Sequence, residues 1–372
     1  MIYLDNAATT KTCDLAIKKI IELNTNNFGN PSSLHNLGIN SEKEIINSKK
    51  EVAKILKVKE KEIFFTSGAT ESNNLAIQGT LSATRKKHII TTKAEHPSVL
   101  ANYKILEKKG YTVTYLKLNK YGEIDLKELQ NTISEDTALV SIMHVNNETG
   151  AISPINEIKK ILKDKNIIFH IDGVQGFCKL DIDCKDIDIY TFSGHKIFCP
   201  KGSGGLYIKT GTKINSILNG GEQMEKIRPG TENISAIAAI GAVSAELNKN
   251  IHEHFDYVLN LKKEFLKITE EIEGIKINGQ NTSPYICSLY FENLKGEVLL
   301  HALESDEIYV STGSSCSSKS KNAMLHAYGF QDPRVDGTVR FSFSINNSQK
   351  EIILVKDRIK YHVDLLRKFV KR

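Results

Sequence analysis

Lys196 and Asp172 are the two residues whose types and surroundings most directly suggest covalent and acid–base chemistry. Lys196 ends the short polar segment Ser193–Lys196, where partial burial could lower its pKa and leave an amine free to react with a carbonyl group. Asp172 follows an apolar run, and a carboxylate there is costly to bury without a partner. A protonated ring nitrogen would be such a partner, although a lysine considered by itself is usually a solvated surface charge.

A turn of small residues, Ser67–Thr70, stands at the end of another apolar run. A turn of this kind that enters a helix presents free backbone N–H groups and the positive end of the helix dipole, which suits a phosphate. Two further polar groups follow other runs, namely His96 and the pair Asn146–Asn147. Each also has an ordinary explanation, since small and Asn-rich segments are common in turns.

One cofactor needs all of these groups at once. Pyridoxal phosphate requires an amine for its aldehyde, an acid that keeps its pyridine nitrogen protonated, and donors for its phosphate. Lys196, Asp172 and the Ser67–Thr70 turn supply one each. A dinucleotide would instead need a G-x-G-x-x-G sequence directly after a strand, and none stands there. The residues therefore favour pyridoxal phosphate.

The elements that must position these residues alternate between short apolar runs and amphipathic stretches. The runs predict strands at Ile63–Phe65, Ile89–Thr91, Thr112–Leu118, Leu139–Met143, Ile167–Ile171, Asp188–Phe192 and Gly205–Ile208. Most are continuously apolar, which predicts an α/β fold with a mainly parallel seven-stranded sheet covered by helices on both faces. Ligands bind at the carboxyl ends of the strands in such sheets, where the polar residues stand.

Three local patterns predict where helices begin and how the chain ends. Ser41 with Glu44 forms a capping-box pattern, and Pro154 suits the first turn of a helix. Near residue 250 the pattern changes to a long helix followed by α+β elements, among them Thr338–Ser344, whose alternation predicts a half-exposed strand. Residues 352–369 predict a final helix. We therefore expect a large cofactor-binding domain at 14–250 and a smaller α+β domain formed by 1–13 and 251–372.

The composition is that of an ordinary globular protein: of 372 residues, 40% are hydrophobic and 25% are charged, with a formal net charge of +6. The positive charges are scattered, which favours a solvated surface over direct nucleic-acid binding. No apolar run is long enough to span a bilayer, and the N-terminus lacks a secretory pattern. The six cysteines have no CxxC pair and no metal-ligand spacing, so we expect free thiols in a reducing cytoplasm and no resident metal.

Cys316 stands apart from the other cysteines because it lies in a run of small polar residues, 311–320. Such a run predicts a mobile surface loop. Four of the other cysteines flank apolar segments, where a structural role is the simpler expectation, and Cys13 has no evident role.

Short motifs along nearly the whole chain resemble those of one enzyme group. They read YLDNAATT (3–10), FGNPSS (28–33), SGATESNN (67–74), EHPSV (95–99), HVNNETG (144–150), DGVQ (172–175), SGHK (193–196), PKGSGG (200–205), RPGTEN (228–233), STGSSCSS (311–318) and VRFS (339–342). In this order they are similar to the NifS/IscS-like cysteine desulfurases, which are class V, fold-type I pyridoxal-phosphate enzymes.

The resemblance implies a role for each matching residue. Lys196 would bond to the cofactor, Asp172 would pair with its pyridine nitrogen, and His96 would stack on the ring. Gln175 and Asn147 would lie near the ring hydroxyl. The phosphate would be held by Ala69, Thr70, Ser193 and His195, and Thr231 would reach the phosphate of a neighbouring subunit. Asn147 and Arg340 would contact the substrate.

The implied reaction converts L-cysteine to L-alanine and leaves a persulfide on Cys316. The resemblance also implies a homodimer and a sulfur-acceptor protein, either an iron–sulfur scaffold or a tRNA-thiolation protein, and Cys316 could transiently ligate a transferred iron–sulfur cluster. Three alternatives stay open from the sequence: a selenocysteine lyase, another class V enzyme such as an aminotransferase, and a non-catalytic relative that kept the fold. Intact Lys196 and Asp172 argue against the last.

Overall fold

A computed structural model describes residues 1–312 and 323–370 of the chain. Cys316 and most of its predicted loop lie outside the described residues. The strands are β1 Ile2–Tyr3, β2 Ile63–Thr66, β3 His88–Thr92, β4 Thr112–Leu116, β5 Thr137–Met143, β6 Ile168–Asp172, β7 Ile189–Ser193, β8 Gly204–Ile208, β9 Ile275–Asn278, β10 Ile286–Phe291, β11 Ile308–Tyr309 and β12 Thr338–Ser342.

The α-helices are α1 Asp14–Thr25, α2 Asn36–Leu56, α3 Ala69–Asn74, α4 Thr80–Ser82, α5 Pro97–Lys108, α6 Leu126–Thr132, α7 Ile155–Leu162, α8 Ile234–Lys249, α9 Ile251–Leu266, α10 Ile268–Glu271, α11 Gly296–Glu304, α12 Ala323–Ala327, α13 Asp332–Asp336 and α14 Gln349–Val370. A π-helical turn, Leu75–Gly79, joins α3 to α4. Short 3-10 turns occupy Glu60–Glu62, Gly194–Lys196 and Gln223–Lys226.

A seven-stranded sheet in the order β2-β8-β7-β6-β5-β3-β4 forms the centre of the fold. Strand β8 runs antiparallel to β2 and β7, and the other neighbours pair in parallel. Five of the strands, β2, β3, β5, β7 and β8, are buried along their whole length, because helices cover both faces. All seven predicted strands and the α/β fold class are confirmed.

Two predicted helix starts differ from the structure. Helix α2 begins at Asn36, before Ser41, and its first turn is capped by His35, whose Nδ1 accepts a hydrogen bond from Gly38 N. Ser41 is a buried residue inside the helix and donates instead to Asn27 O at 3.0 Å. The predicted capping box is therefore wrong, because a histidine cap extends the helix upstream. Helix α7 begins at Ile155, directly after Pro154.

A second sheet has the antiparallel order β12-β10-β9, and β1 pairs in parallel with β11. Helices α9, α11 and α14 pack beside it around a hydrophobic cluster of their own. The long helix predicted near residue 250 and the predicted C-terminal helix are both confirmed as α9 and α14. The division into domains at 14–250 and at 1–13 with 251–372 stays a prediction.

Strand β12 is buried on both faces, so its predicted half-exposure is wrong. Its polar face carries Arg340, which is only 4% exposed. Asp5 and Glu148, which come from distant parts of the chain, cover that face by pairing with the guanidinium. Within residues 1–312 and 323–370, no helix combines the length and the apolar character that crossing a bilayer requires.

Candidate active site

The carboxyl ends of neighbouring strands bring the two chemical residues to one edge of the sheet. Asp172 is the last residue of β6, and β7 beside it ends at Ser193, directly before the 3-10 turn that carries Lys196. Parallel strands end at the same edge, so both side chains lie at the carboxyl edge of the sheet, where α/β folds bind ligands.

Lys196 is held by the N-terminal segment of the chain. Its Nζ donates to the carbonyl oxygens of Ala7 at 2.7 Å and Ala8 at 2.6 Å. Burial, followed by the positive charge of Arg340, lowers the pKa of Lys196 to about 8. An amine with this pKa is neutral in a substantial fraction of molecules near neutral pH, as a nucleophile or a base must be.

The Asp172 carboxylate is 5% exposed and accepts two hydrogen bonds from uncharged donors. Asn73 Nδ2 donates to its Oδ2 at 2.8 Å, and the Val174 backbone N–H donates to its Oδ1 at 3.1 Å. A carboxylate can accept about four hydrogen bonds, so it retains acceptor capacity after these two. The carboxylate could therefore accept a hydrogen bond from a positively charged donor, such as a protonated ring nitrogen.

Asn73 is a site residue to which the sequence assigned no role of its own. Besides its bond to Asp172, its Nδ2 donates to Ser98 Oγ at 2.9 Å, and its Oδ1 accepts from Thr191 Oγ1 at 2.6 Å. All of these groups are buried. Asn73 follows Ala69 by one helical turn, so its place on the inner face of the helix that the Ser67–Thr70 turn begins could have indicated it.

His96 forms the N-terminal cap of α5 and keeps one exposed side of its ring. Its Nδ1 accepts from Ser98 N at 3.1 Å and lies 2.8 Å from Ser98 Oγ. The protein packed around the rest of the ring lowers the pKa of His96. A neutral imidazole that is clamped through Nδ1 and open on one side can stack on a flat aromatic ligand.

The Ser67–Thr70 turn approaches β8 closely through a pair of glycines. A Cβ atom at Gly204 would lie 2.7 Å from Gly68 Cα, and Gly68 itself has φ of 152°. Ala69 and Thr70 follow at the start of α3. Glycines at both positions allow the start of α3 to lie close to β8, and a helix start offers N–H groups and the positive end of the helix dipole to a phosphate.

Two other predicted phosphate residues lie near the same edge. Ser193 is buried at the end of β7, and His195 Nδ1 lies 3.1 Å from Thr9 Oγ1. Burial and the nearby Lys196 lower the pKa of His195 to about 4, so its imidazole is neutral over the physiological range. Thr231 is exposed on the surface ahead of α8.

The segment before Thr231 is tied to the phosphate turn by an ion pair. Arg228 Nε lies 2.8 Å from Glu71 Oε1, and the other oxygen of that carboxylate accepts from Ser67 N and Oγ. These bonds connect the turn to the chain that leads into α8.

Gln175 spans the space between Asp172 and the N-terminal segment. Its Nε2 donates to Ala7 O at 2.8 Å, and its Oε1 accepts from Lys179 Nζ at 3.1 Å. Ala7 O therefore accepts from both Gln175 and Lys196. The amide lies directly beside the lysine amine that could hold a cofactor.

Arg340 and Asn147 carry buried atoms without a partner among the described residues. Arg340 donates to Asp5 Oδ1 at 2.8 Å and to Asn147 O at 2.9 Å, and lies 3.3 Å from Glu148 Oε1, yet its Nε has no partner. Asn147 Oδ1 is likewise unpaired, while its Nδ2 donates to Glu148. Unpaired buried polar atoms are costly, and these two could bond to polar groups of a ligand bound at this edge.

The set of groups matches the needs of pyridoxal phosphate. It contains an amine with a lowered pKa, a buried carboxylate with spare acceptor capacity, an open imidazole, a glycine-built cradle for a phosphate, and unpaired polar atoms on Arg340 and Asn147. We find no group of three or more His, Cys, Asp or Glu residues suited to a metal in the parts of the chain that the structure describes.

Comparisons with known proteins agree on one family. The sequence model of the class-V aminotransferases matches residues 2–355. The cysteine desulfurase IscS of Clostridium botulinum is 37% identical over 382 residues, which cover 100% of this chain and 94% of the relative. The cysteine desulfurase IscS of Methanosarcina thermophila is 39% identical over 374 residues, which cover 98% and 93%.

Solved structures give the same result. A NifS-like protein superposes with a TM-score of 0.92 at 32% identity, covering 98% of this chain and 99% of the other. A NifS-like protein from Rickettsia africae superposes with a TM-score of 0.88 at 29% identity, again covering 98% and 99%.

Proposed function

The chain belongs to the class-V aminotransferase family, in its NifS/IscS-like group, and from this membership we propose that it is a pyridoxal-phosphate-dependent cysteine desulfurase that converts L-cysteine to L-alanine. In this reaction the C–S bond of the substrate breaks and its sulfur bonds to Cys316, which becomes a persulfide. The proposal rests chiefly on one observation: Lys196, with its lowered pKa, lies at the same sheet edge as the buried carboxylate Asp172.

The cofactor would be held by the groups at this edge. Lys196 would bond to it, Asp172 would pair with its ring nitrogen, and His96 would stack on its ring. When bound, pyridoxal phosphate supplies a conjugated ring that withdraws electrons from the α-carbon of the substrate. The phosphate would be held by Ala69, Thr70, Ser193 and His195, and the ring hydroxyl would lie near Gln175 and Asn147.

Arg340 would bind the carboxylate of L-cysteine. An arginine offers two parallel N–H donors to a carboxylate, and the unpaired Nε of Arg340 is a donor still available. Asp5 and Glu148 hold the guanidinium in place and offset part of its charge. The substrate would thus be oriented with its α-carbon toward Lys196.

Proton transfer at the α-carbon would be the task of Lys196 Nζ. Its pKa of about 8 makes it an effective base near neutral pH. Cys316 would act as a thiolate, because the thiolate is the nucleophilic form of cysteine, and would attack the substrate sulfur. Breaking the C–S bond leaves its electron pair on the β-carbon, which takes one proton to become the methyl group, equal to the proton that the Cys316 thiol gives up. The proton that Lys196 removes from the α-carbon is returned to the α-carbon.

The wider setting of the reaction is also part of the proposal. We expect a cytoplasmic homodimer in which Thr231 of one subunit contacts the phosphate held by the other. The exposed position of Thr231 on the surface supports this arrangement. The persulfide would pass to an acceptor protein, either an iron–sulfur scaffold, whose cluster Cys316 could transiently ligate, or a tRNA-thiolation protein.

One experiment tests the reaction and its nucleophile together. The protein is incubated with pyridoxal phosphate and L-cysteine, alanine is quantified, and the peptide that contains Cys316 is weighed by mass spectrometry. We expect alanine and a gain of one sulfur on that peptide in wild type, neither in Cys316→Ser, and both in Cys13→Ser, which changes a free cysteine that is partly exposed among the described residues. Alanine release by Cys316→Ser at the wild-type rate would refute the proposed nucleophile.

A further inference from the structure

Lys179 is a buried lysine that the proposed reaction does not use. Its side chain is only 8% exposed, and its Nζ donates at 3.1 Å to Oε1 of Gln175, four residues earlier in the chain. Its ammonium also lies 5.8 Å from the centre of the Tyr285 ring. A lysine is rarely buried to this extent, so its position requires a reason.

The contacts of Lys179 compensate only partly for the burial of its charge. Burial, followed by the positive charge of Lys196, lowers the pKa of Lys179 to about 7, and His195 is a further titratable group close enough to interact with it. Lys262, another buried lysine, donates to three oxygens, those of Thr282 Oγ1, Ser283 O and Ile286 O. Among the described residues, Lys179 therefore has fewer hydrogen-bond acceptors to compensate for its burial than Lys262 has.

A continuous chain of hydrogen bonds leads from Lys179 to the reactive lysine. Lys179 donates to Gln175 Oε1, Gln175 Nε2 donates to Ala7 O at 2.8 Å, and Lys196 Nζ donates to the same oxygen at 2.7 Å. An amide side chain has a donor end and an acceptor end. The Lys179 ammonium can donate only to the acceptor end, and Ala7 O can accept only from the donor end. Lys179 and Ala7 O thus hold the Gln175 amide in the same orientation from its two ends.

We propose that Lys179 is a positioning residue of the cofactor site, which fixes the Gln175 amide so that its donor end faces Ala7 O and the ring hydroxyl of the cofactor. The inference rests on the proposed pyridoxal-phosphate function, since the role of Gln175 toward the ring is part of that function. Lys179 touches neither the cofactor nor the substrate in this proposal, and it acts through Gln175 alone.

A double-mutant cycle tests this dependence. Lys179→Met keeps a side chain of similar length and removes the donor, and Gln175→Ala removes the group on which it acts. For each variant and the double variant, the dissociation constant of pyridoxal phosphate and the wavelength of its visible absorbance band are measured. We expect Lys179→Met to weaken cofactor binding by about five-fold to ten-fold and to shift the band.

The decisive comparison is made in the background of Gln175→Ala. There, we expect Lys179→Met to change neither the dissociation constant nor the band, because two residues that act through one contact are not additive. The proposal would be overturned if Lys179→Met weakened cofactor binding equally in both backgrounds. It would also be overturned if Lys179→Met had the wild-type dissociation constant and absorbance band. If Lys179→Met does not fold, Lys179→Leu, which also lacks a donor, replaces it in the same cycle.

Two controls separate this proposal from stability and from the proposed function. Lys356→Met changes another lysine that is 8% exposed and that pairs with Glu264 and Glu271 away from the site. It should leave cofactor affinity and the band unchanged, whatever its effect on the melting temperature. A wild-type protein that binds no pyridoxal phosphate would refute the proposed function, whereas normal binding in wild type with no effect of Lys179 variants would refute only the positioning role.

Discussion

The amide of Asn73 lies between the buried carboxylate of Asp172 and two neighbouring hydroxyl groups, and its Nδ2 is 2.8 Å from Asp172 Oδ2. Its Oδ1 accepts from Thr191 Oγ1, which leaves only the amide nitrogen to face the carboxylate. The orientation of the amide is therefore determined, and Asp172 keeps a donor at one oxygen. The same carboxylate is the group that would pair with a protonated ring nitrogen of the cofactor.

Asn73→Asp should impair the site by placing a second carboxylate beside Asp172. Like charges at this distance raise the pKa of one or both groups, so Asp172 would lose part of its negative charge. We expect turnover to fall by about ten-fold or more and the visible band of the bound cofactor to move. Steady-state kinetics and absorbance spectra measure both, and Asn131→Asp adds the same charge at an exposed position as the control. Unchanged turnover and spectrum in Asn73→Asp would contradict this role.

Lys196 should react with amine reagents at a lower pH than exposed lysines. Burial lowers its pKa to about 8, so the neutral, reactive amine becomes the main form once the pH rises above 8, whereas exposed lysines need a pH near 10. Acylation of the cofactor-free protein at several pH values, followed by peptide mass spectrometry, gives the titration of each lysine. A Lys196 midpoint equal to that of an exposed lysine such as Lys54 would show that the site does not lower its pKa.

The sequence was sufficient to predict the sheet and the edge that carries the site, because both depend on local patterns. Continuous apolar runs indicate buried parallel strands, and the residue that follows a run must lie at the strand end, as Asp172 does. The burial of Arg340 could not be read in the same way. Alternation along β12 describes the strand alone, while the residues that cover its polar face, Asp5 and Glu148, lie far away in the sequence.

The sequence also did not reveal the residues that would act on the site only through a neighbouring side chain. Asn73, on a helix, and Lys179, in a turn, look like ordinary polar positions, and only the three-dimensional contacts show that one is bonded to Asp172 and the other to Gln175. The failed prediction of a cap at Ser41 has a similar cause. The Ser41 hydroxyl bonds across to Asn27 O, a tertiary contact that the capping pattern does not contain.

Arg340→Lys should weaken the binding of L-cysteine more than it slows turnover. Lysine keeps the positive charge but cannot offer two parallel donors to a carboxylate, and it loses the unpaired Nε. We expect the KM for L-cysteine to rise by about ten-fold to a hundred-fold, with a smaller change in kcat. Initial rates of alanine formation measure both. The matched control is Arg358→Lys. Arg358 lies on α14 and pairs with Asp306, and its substitution should leave KM unchanged. A normal KM in Arg340→Lys would place the substrate carboxylate elsewhere.

Glu95 should make the protein less stable as the pH rises from about 5 to about 8. Burial raises the pKa of its carboxyl to about 8, one oxygen accepts from Thr92 Oγ1 at 2.9 Å, and the other has no partner among the described residues. The folded protein therefore keeps a proton that the unfolded chain releases above its ordinary pKa of 4.5, and the free energy of unfolding must fall with pH between these values.

Glu95→Gln removes this titration while keeping the shape of the protonated acid. Urea unfolding of both proteins, followed at pH 5 and at pH 8, gives the difference in their free energies of unfolding at each pH. We expect the variant to gain stability relative to wild type at pH 8, because wild type must hold a proton there that the solution no longer supplies. A difference that is the same at both pH values would show that Glu95 has its ordinary pKa in the folded state, and that its burial is compensated by groups that favour the charged form.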